Sequence, residues 1–287
     1  MESLLNNEIF KRHQGRNHLI ISTSYTFFRG SKLGDFSPLN GYYSQIYNAT
    51  AILCWDPSAT YNDLHHTNHD WSEFRSVMIK ETTPPLISRT ASVAFGISND
   101  EIPLTPATSS KFHNSSNFIF YHSRTTPSVN NSTIFRHAPI TNITQDSNFP
   151  KSSIGFDIEK DQWMRDYKDS KFCLVIRGDN PSSRSLWRSI RMGCIPVIGA
   201  DTLPVWGPIL KSTLNMSDYG VIVDEKALVN DPTSTLLKLN EISEDEIEAK
   251  IKHLAFAQRV MFTDHPSSLF VPAFLKEAQM ASTVQVG

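Results

Sequence analysis

FCLVIRGDNPSSRSLWRSIRMGCIPVI, residues 172–198, reads as an apolar strand, a glycine-containing turn, a capped helix and a second apolar strand. Residues 172–176 form a short continuous apolar run, as in a strand covered on both faces of a parallel sheet. Arg177-Gly178-Asp179 breaks that run. Asn180 is a favourable N-cap and Pro181 falls at the first helical position, where its missing N–H costs nothing. The backbone N–H groups of Ser182 and Ser183 are then left pointing outward. Leu186 and Ile190 share one helix face, Gly193 supplies a left-handed C′ position, and residues 194–198 start the next buried strand. The unit is a βαβ crossover.

Ligands of open α/β sheets sit beyond the carboxyl ends of the strands, and a helix N-terminus there favours phosphate through free N–H groups and its dipole. A nucleotide diphosphate fits this turn. Arg177 and Arg184 flank it, and a guanidinium grips phosphate oxygens in a bidentate fork that lysine cannot make. The physics alone leaves a second reading open, in which both arginines merely solvate a helix start.

The same stretch resembles the signature of the exostosin-type glycosyltransferases. Ser170-Lys171-Phe172-Cys173-Leu174 matches its opening strand, Gly178-Asp179 with Pro181-Ser182-Ser183 its turn, and residues 193–198 its second strand. Gly15-Arg16-Asn17-His18-Leu19-Ile20 is similar to an earlier family segment, and MSDYGVIVDE, residues 216–225, to a later strand and the acidic residue after it. His122-Ser123-Arg124, behind an apolar run at 118–121, resembles a strand ending in a Gly-Arg-type loop, with serine in the glycine position. Four departures stand out: Ile176 for the usual proline, Ser185 for arginine, Arg188 for a carboxylate inside the helix, and Tyr219-Gly220 for Phe-Ser.

The resemblance implies an α/β, GT-B-like fold of two Rossmann-like lobes around a nucleotide-sugar cleft. An acceptor-side lobe would span residues 1–112 and a donor lobe 113–287. Family members carry a substantial part of the first lobe ahead of the Gly15 segment, so a truncated member is expected. The implied activity is inverting transfer of a hexosyl or pentosyl group from a UDP- or GDP-linked donor to a glycan or glycoprotein. The rival is a non-catalytic nucleotide- or carbohydrate-binding relative that keeps the fold, motivated by Arg188, the short first lobe and the missing anchor. In the catalytic reading Arg124, Arg177, Gly178, Asp179, Ser182, Ser183 and Arg184 face the donor phosphates, and Asp201 lines the cleft. Glu225 would accept from a ribose hydroxyl; its other reading is a surface residue after a strand. His18 is the candidate general base, or else a structural histidine opening a buried strand. No cofactor or metal is expected, because helix dipole and arginines can neutralise the departing diphosphate.

With 287 residues, 39% hydrophobic, and 29 acidic against 27 basic side chains, the chain can bury one or two cores and lacks a strong charge bias. Basic residues do not cluster, which argues against a nucleic-acid partner. No apolar stretch approaches the roughly 18–20 residues that span a bilayer, and MESLLNNEIFKRHQ lacks a signal-peptide core. Yet Asn-x-Ser/Thr triplets occur at Asn48, Asn114, Asn130, Asn131, Asn142 and Asn215. Composition and glycosylation explain them equally well; the resemblance implies the Golgi lumen, with a membrane anchor ahead of the catalytic region. The cysteines, Cys54, Cys173 and Cys194, read as structural, and a Cys173–Cys194 bridge requires their strands to be neighbours.

Elsewhere, apolar runs predict strands at 19–22, 50–55 and 76–79. Residues 103–117 read as a linker, 125–157 as loop, and 157–168 as a helix. Ser243 and Glu246 form a capping box opening a helix to about Phe262, with Ile247, Ile251 and Leu254 on one face. Pro266 stops it, and residues 267–281 make a weakly periodic further helix. Asp63, His65, His66, His69 and Asp70 bunch within DLHHTNHD, but without HExxH order the cluster reads as a solvated loop rather than a metal-dependent hydrolase.

Overall fold

The computed structural model of the chain describes residues 8–13, 19–22, 51–54, 90–92, 102–123, 143, 146–176, 184–200, 203 and 210–283. The chain divides into two compact units, one of residues 1–97, 206–213 and 271–287, the other of 98–205 and 214–270. No helix among the described residues is long and apolar enough to cross a membrane.

In the first unit α1 (Glu8–His13) precedes β1 (Leu19–Ser22), β2 (Ala51–Cys54) and β3 (Thr90–Ser92), a parallel sheet in that order. Leu19 pairs with Ala51, and Ile52 with Thr90. The first two strands lie where their apolar runs place them. The strand expected at 76–79 falls outside the described residues. β3 reads only Thr-Ala-Ser, with no apolar run to announce it.

The second unit runs α2 (Ser109–Asn114), β4 (Asn117–Ser123), β5 (Ser153–Phe156), α3 (Lys160–Lys168), β6 (Ser170–Val175), α4 (Arg184–Arg191), β7 (Ile195–Ile198), α5 (Met216–Tyr219), β8 (Val221–Ile222), α6 (Glu225–Asn230), α7 (Pro232–Leu237) and α8 (Glu244–Met261). α9 (Phe270–Thr283), over the weakly periodic C-terminal stretch, comes next in the chain but from residue 271 counts with the first unit. The five strands of the second unit are all parallel, ordered β5-β4-β6-β7-β8, so their carboxyl ends share one edge. The two signature strands, β6 and β7, are adjacent and almost wholly buried, as their apolar runs require.

α4 ends as the sequence predicts. Gly193 adopts φ 61°, its N–H donates to the Ile190 carbonyl at 3.1 Å, and the Cys194 N–H donates to that of Ser189 at 3.0 Å. This is a Schellman closure. A Cβ on Gly193 would also meet the Thr105 carbonyl oxygen at 2.8 Å. The pairing of β6 with β7 brings Cys173 and Cys194 to a Cα separation of 5.8 Å, and they form a disulfide.

Three readings change. Residues 103–117 are no linker: they hold α2, capped by Thr108, and a strap clasped by the buried Gln258. Gln258 Nε2 donates to the carbonyls of Thr105 and Ile190 at 2.7 and 2.8 Å, and its Oε1 accepts from the Ala107 N–H at 3.0 Å. Within the stretch read as loop, residues 153–156 form the edge strand β5, whose four half-buried residues alternate Ser153 and Gly155 with Ile154 and Phe156 and therefore show no continuous apolar run. The helix expected from residue 157 begins at Lys160, because Asp157 takes a left-handed φ of 34° and donates its N–H to the Ser123 carbonyl at 3.0 Å, prolonging the β4–β5 ladder. α8 agrees with its prediction: Ser243 Oγ accepts from the Glu246 N–H at 3.3 Å, Ile247, Ile251 and Leu254 are buried, and Phe262 is the C-cap.

Candidate functional site

The carboxyl ends of β6, β7 and β8 are knit together beyond the strands themselves. The Gly199 N–H donates to the Val175 carbonyl and the Val223 N–H to the Ile198 carbonyl, both at 3.0 Å. Gly199 is closely covered: a Cβ there would stand 2.3 Å from Leu228 Cδ2 and 3.3 Å from Val223 Cγ2, so the Leu228 side chain would have to shift to admit one. The missing side chain lets α6 close over the end of β7. Asp224 caps α6, accepting from the Ala227 N–H at 2.6 Å, and Glu225 becomes its first residue.

Glu225 is 2% exposed, which overturns its reading as a surface residue. A carboxylate in the first turn is stabilised by the helix dipole. The stretch similar to a family strand is therefore α5, a two-residue β8 and the opening of α6 in succession.

Arg184 opens α4, directly after residues 177–183 in the chain. Arg177, Gly178, Asp179, Ser182 and Ser183 lie outside the described residues, with Asn180 and Pro181, and so do His18, Arg124, Asp201 and the His65–Asp70 cluster. Of the predicted side chains the structure thus places Glu225, at the carboxyl edge of the sheet.

Arg188, the charge-reversed position of the signature helix, lies over aromatic rings. Its guanidinium carbon is 5.6 Å from the Trp163 ring centroid and 5.9 Å from that of Trp187. Trp163 packs edge-on to Tyr167 at 4.8 Å, and Tyr167 lies 4.2 Å from Phe120 on β4. The Tyr167 hydroxyl shares a 2.9 Å hydrogen bond with Ser189 Oγ, and burial pushes its ionisation above the usual phenol range. An arginine stacks on such faces through its delocalised cation, where a carboxylate would be repelled by the ring quadrupole. Trp163 and Tyr167 are four apart on α3, but Phe120 and Trp187 come from two other elements, so no spacing in the sequence joins the group around Arg188.

Beside β5 lies a second polar constellation that sequence reading did not single out. A cavity of about 490 Å³ is lined by residues including Asn117, His122, Lys151, Ser153, Asp166 and Asp169. Ser153 Oγ donates to Asp166 Oδ2 at 2.7 Å and meets His122 Nε2 at 2.9 Å. With its proton committed to Asp166, the serine can only accept from the imidazole. Burial lowers His122 below the usual imidazole range, against the opposing pull of the Asp166 charge. A nucleophilic serine needs the reverse polarity, in which histidine takes the serine proton. The trio is a structural clasp between β4, β5 and α3.

No curated protein matches the chain. Residues 1–239, however, match the Exostosin GT47 domain, so the chain belongs to the exostosin GT47 family of glycosyltransferases.

Proposed function

We propose that the protein transfers a hexosyl or pentosyl group, with inversion, from a UDP- or GDP-linked donor to a glycan or glycoprotein acceptor in the Golgi lumen. The observation carrying this reading is the buried Glu225 at the joined carboxyl ends of β7 and β8, the edge at which parallel α/β sheets take their ligands. Glu225 receives the ribose hydroxyls. Arg177, Arg184 and Arg124, with the N–H groups of Ser182 and Ser183 beyond the Gly178-Asp179 turn, neutralise the leaving diphosphate without a divalent ion. Asp201 lines the cleft, and His18, from the other of two Rossmann-like lobes, takes the acceptor proton.

Calorimetric titration with UDP and GDP in chelator, beside Arg184→Ala, tests the donor site. Binding near micromolar is expected, weakened in the variant by about 1.5–3 kcal/mol, the worth of a charged hydrogen bond. Failure of a folded protein to bind either nucleotide overturns the proposal. A second reading, a relative that binds nucleotide without turnover, is favoured by Arg188 at a position where the family carries a carboxylate. Nucleotide binding with neither transfer nor donor hydrolysis across a panel of UDP- and GDP-sugars would select it.

A further inference from the structure

We propose that Asn215 is the acceptor of an N-linked glycan. Asn215 opens the triplet Asn215-Met216-Ser217, and both polar residues are exposed while Met216 between them is buried. Asn215 also caps α5. Its Oδ1 accepts from the Ser217 N–H at 3.4 Å, and its Nδ2 donates to Asp218 Oδ1 at 3.1 Å. From the inner side Lys250 Nζ donates to the carbonyls of Ser217 and Gly220 at 3.0 and 2.9 Å, fixing the turn.

A capping asparagine used in this way needs its Oδ1 and one amide hydrogen. A glycosidic bond replaces one of the two amide hydrogens and leaves the amide one hydrogen to donate, with Oδ1 untouched. Attachment therefore leaves the cap in place. In the transfer, Nδ2 bonds to the anomeric carbon of an oligosaccharide carried on a lipid diphosphate. The carbon–oxygen bond to phosphate breaks, the lipid diphosphate leaves with the electron pair, and the amide proton passes to a base of the transferring enzyme.

The Cys173–Cys194 disulfide is an independent observation, since such bonds form and persist in the oxidising compartments where this transfer occurs. Asn114, whose triplet also falls among the described residues, is exposed too, but it lies within the last turn of α2 and caps nothing. The proposal is confined to Asn215. It rests on passage of the chain through the secretory lumen and is independent of any sugar transfer by the protein itself.

The test is peptide mapping of the protein purified from the cells that make it, after amidase release of N-glycans in heavy-oxygen water. The tryptic peptide of residues 212–226 contains Asn215 as its one asparagine. Labelled aspartate at position 215 is the expected result. Ser217→Ala, expressed in the same cells, keeps Asn215 and its backbone-directed cap, so it should lose the label with an unchanged melting temperature; Ser217→Thr should retain both. Unmodified Asn215 in protein whose Cys173–Cys194 bridge has formed overturns the proposal. Unmodified Asn215 with both thiols free overturns it as well, by removing the lumenal passage on which it rests.

Discussion

Tyr219 stands where the family pattern has phenylalanine, and its hydroxyl is buried with no hydrogen-bond partner among the described residues. Desolvating an unpartnered hydroxyl costs about 1–3 kcal/mol. Tyr219→Phe is therefore expected to stabilise the protein by about 1 kcal/mol, read as a higher urea midpoint at constant slope. Lys111 makes the opposite kind of commitment. Its Nζ donates to the Ser170 carbonyl at 2.5 Å, and burial pulls its ammonium from 10.5 down to about 7, against the raising effect of Asp169. Between about pH 7 and 10 the unfolded chain then binds the extra proton, so this group makes stability rise with pH across that window; below it both states are protonated and the contribution is flat. The melting-temperature difference between Lys111→Met and the parent should be constant below about pH 7 and shift steadily in the parent's favour towards pH 10. Parallel curves over that whole range would rule the buried ammonium out.

Among elements, those whose signal is local were legible and those defined by distant partners were not. β6, β7 and α4 declare themselves through apolar runs, a four-residue spacing and the Gly193 stop, and α8 through its capping box. β5 shows no continuous run because its four half-buried residues alternate Ser153 and Gly155 with Ile154 and Phe156, too short a pattern to stand out from the polar stretch before it, and α2 lies within a Ser/Thr/Asn-rich segment that composition alone reads as linker. What orders that segment is Gln258, a polar residue on α8 that is 1% exposed because its three partners come from two other parts of the chain. Gln258→Leu leaves the Ala107 N–H and the Thr105 carbonyl without their partner, at a cost of about 3 kcal/mol. Chemical denaturation should show that loss, and amide exchange at Ala107 should accelerate more than exchange in β6.

For the molecule as a whole, the Cys173–Cys194 bridge closes a separation of 21 residues inside the larger sheet. Loop-closure entropy assigns such a bridge about 3 kcal/mol. A Cys173→Ala, Cys194→Ala double variant should lose about that much stability, and reductant should lower the melting temperature of the parent alone. An effect of reductant on both proteins, or on neither, would show that the bridge does not contribute. The site was legible to a different degree. The motif identified the family and one edge of the sheet, and the structure placed Glu225 there in a buried setting that its sequence neighbours, polar and charged, do not suggest. The packing of Arg188 among Trp163 and Trp187 was equally hidden, because no one-dimensional pattern joins rings from separate elements.

The clasp of Gln258 on Thr105 and Ala107 also sets an order of events during synthesis. The partners are 153 and 151 residues apart in the chain, so the ribosome polymerises most of the second unit before its amino-terminal strap can lock. Nascent chains halted ahead of position 258 should thus present residues 102–108 to proteases, while release of the finished α8 closes that window.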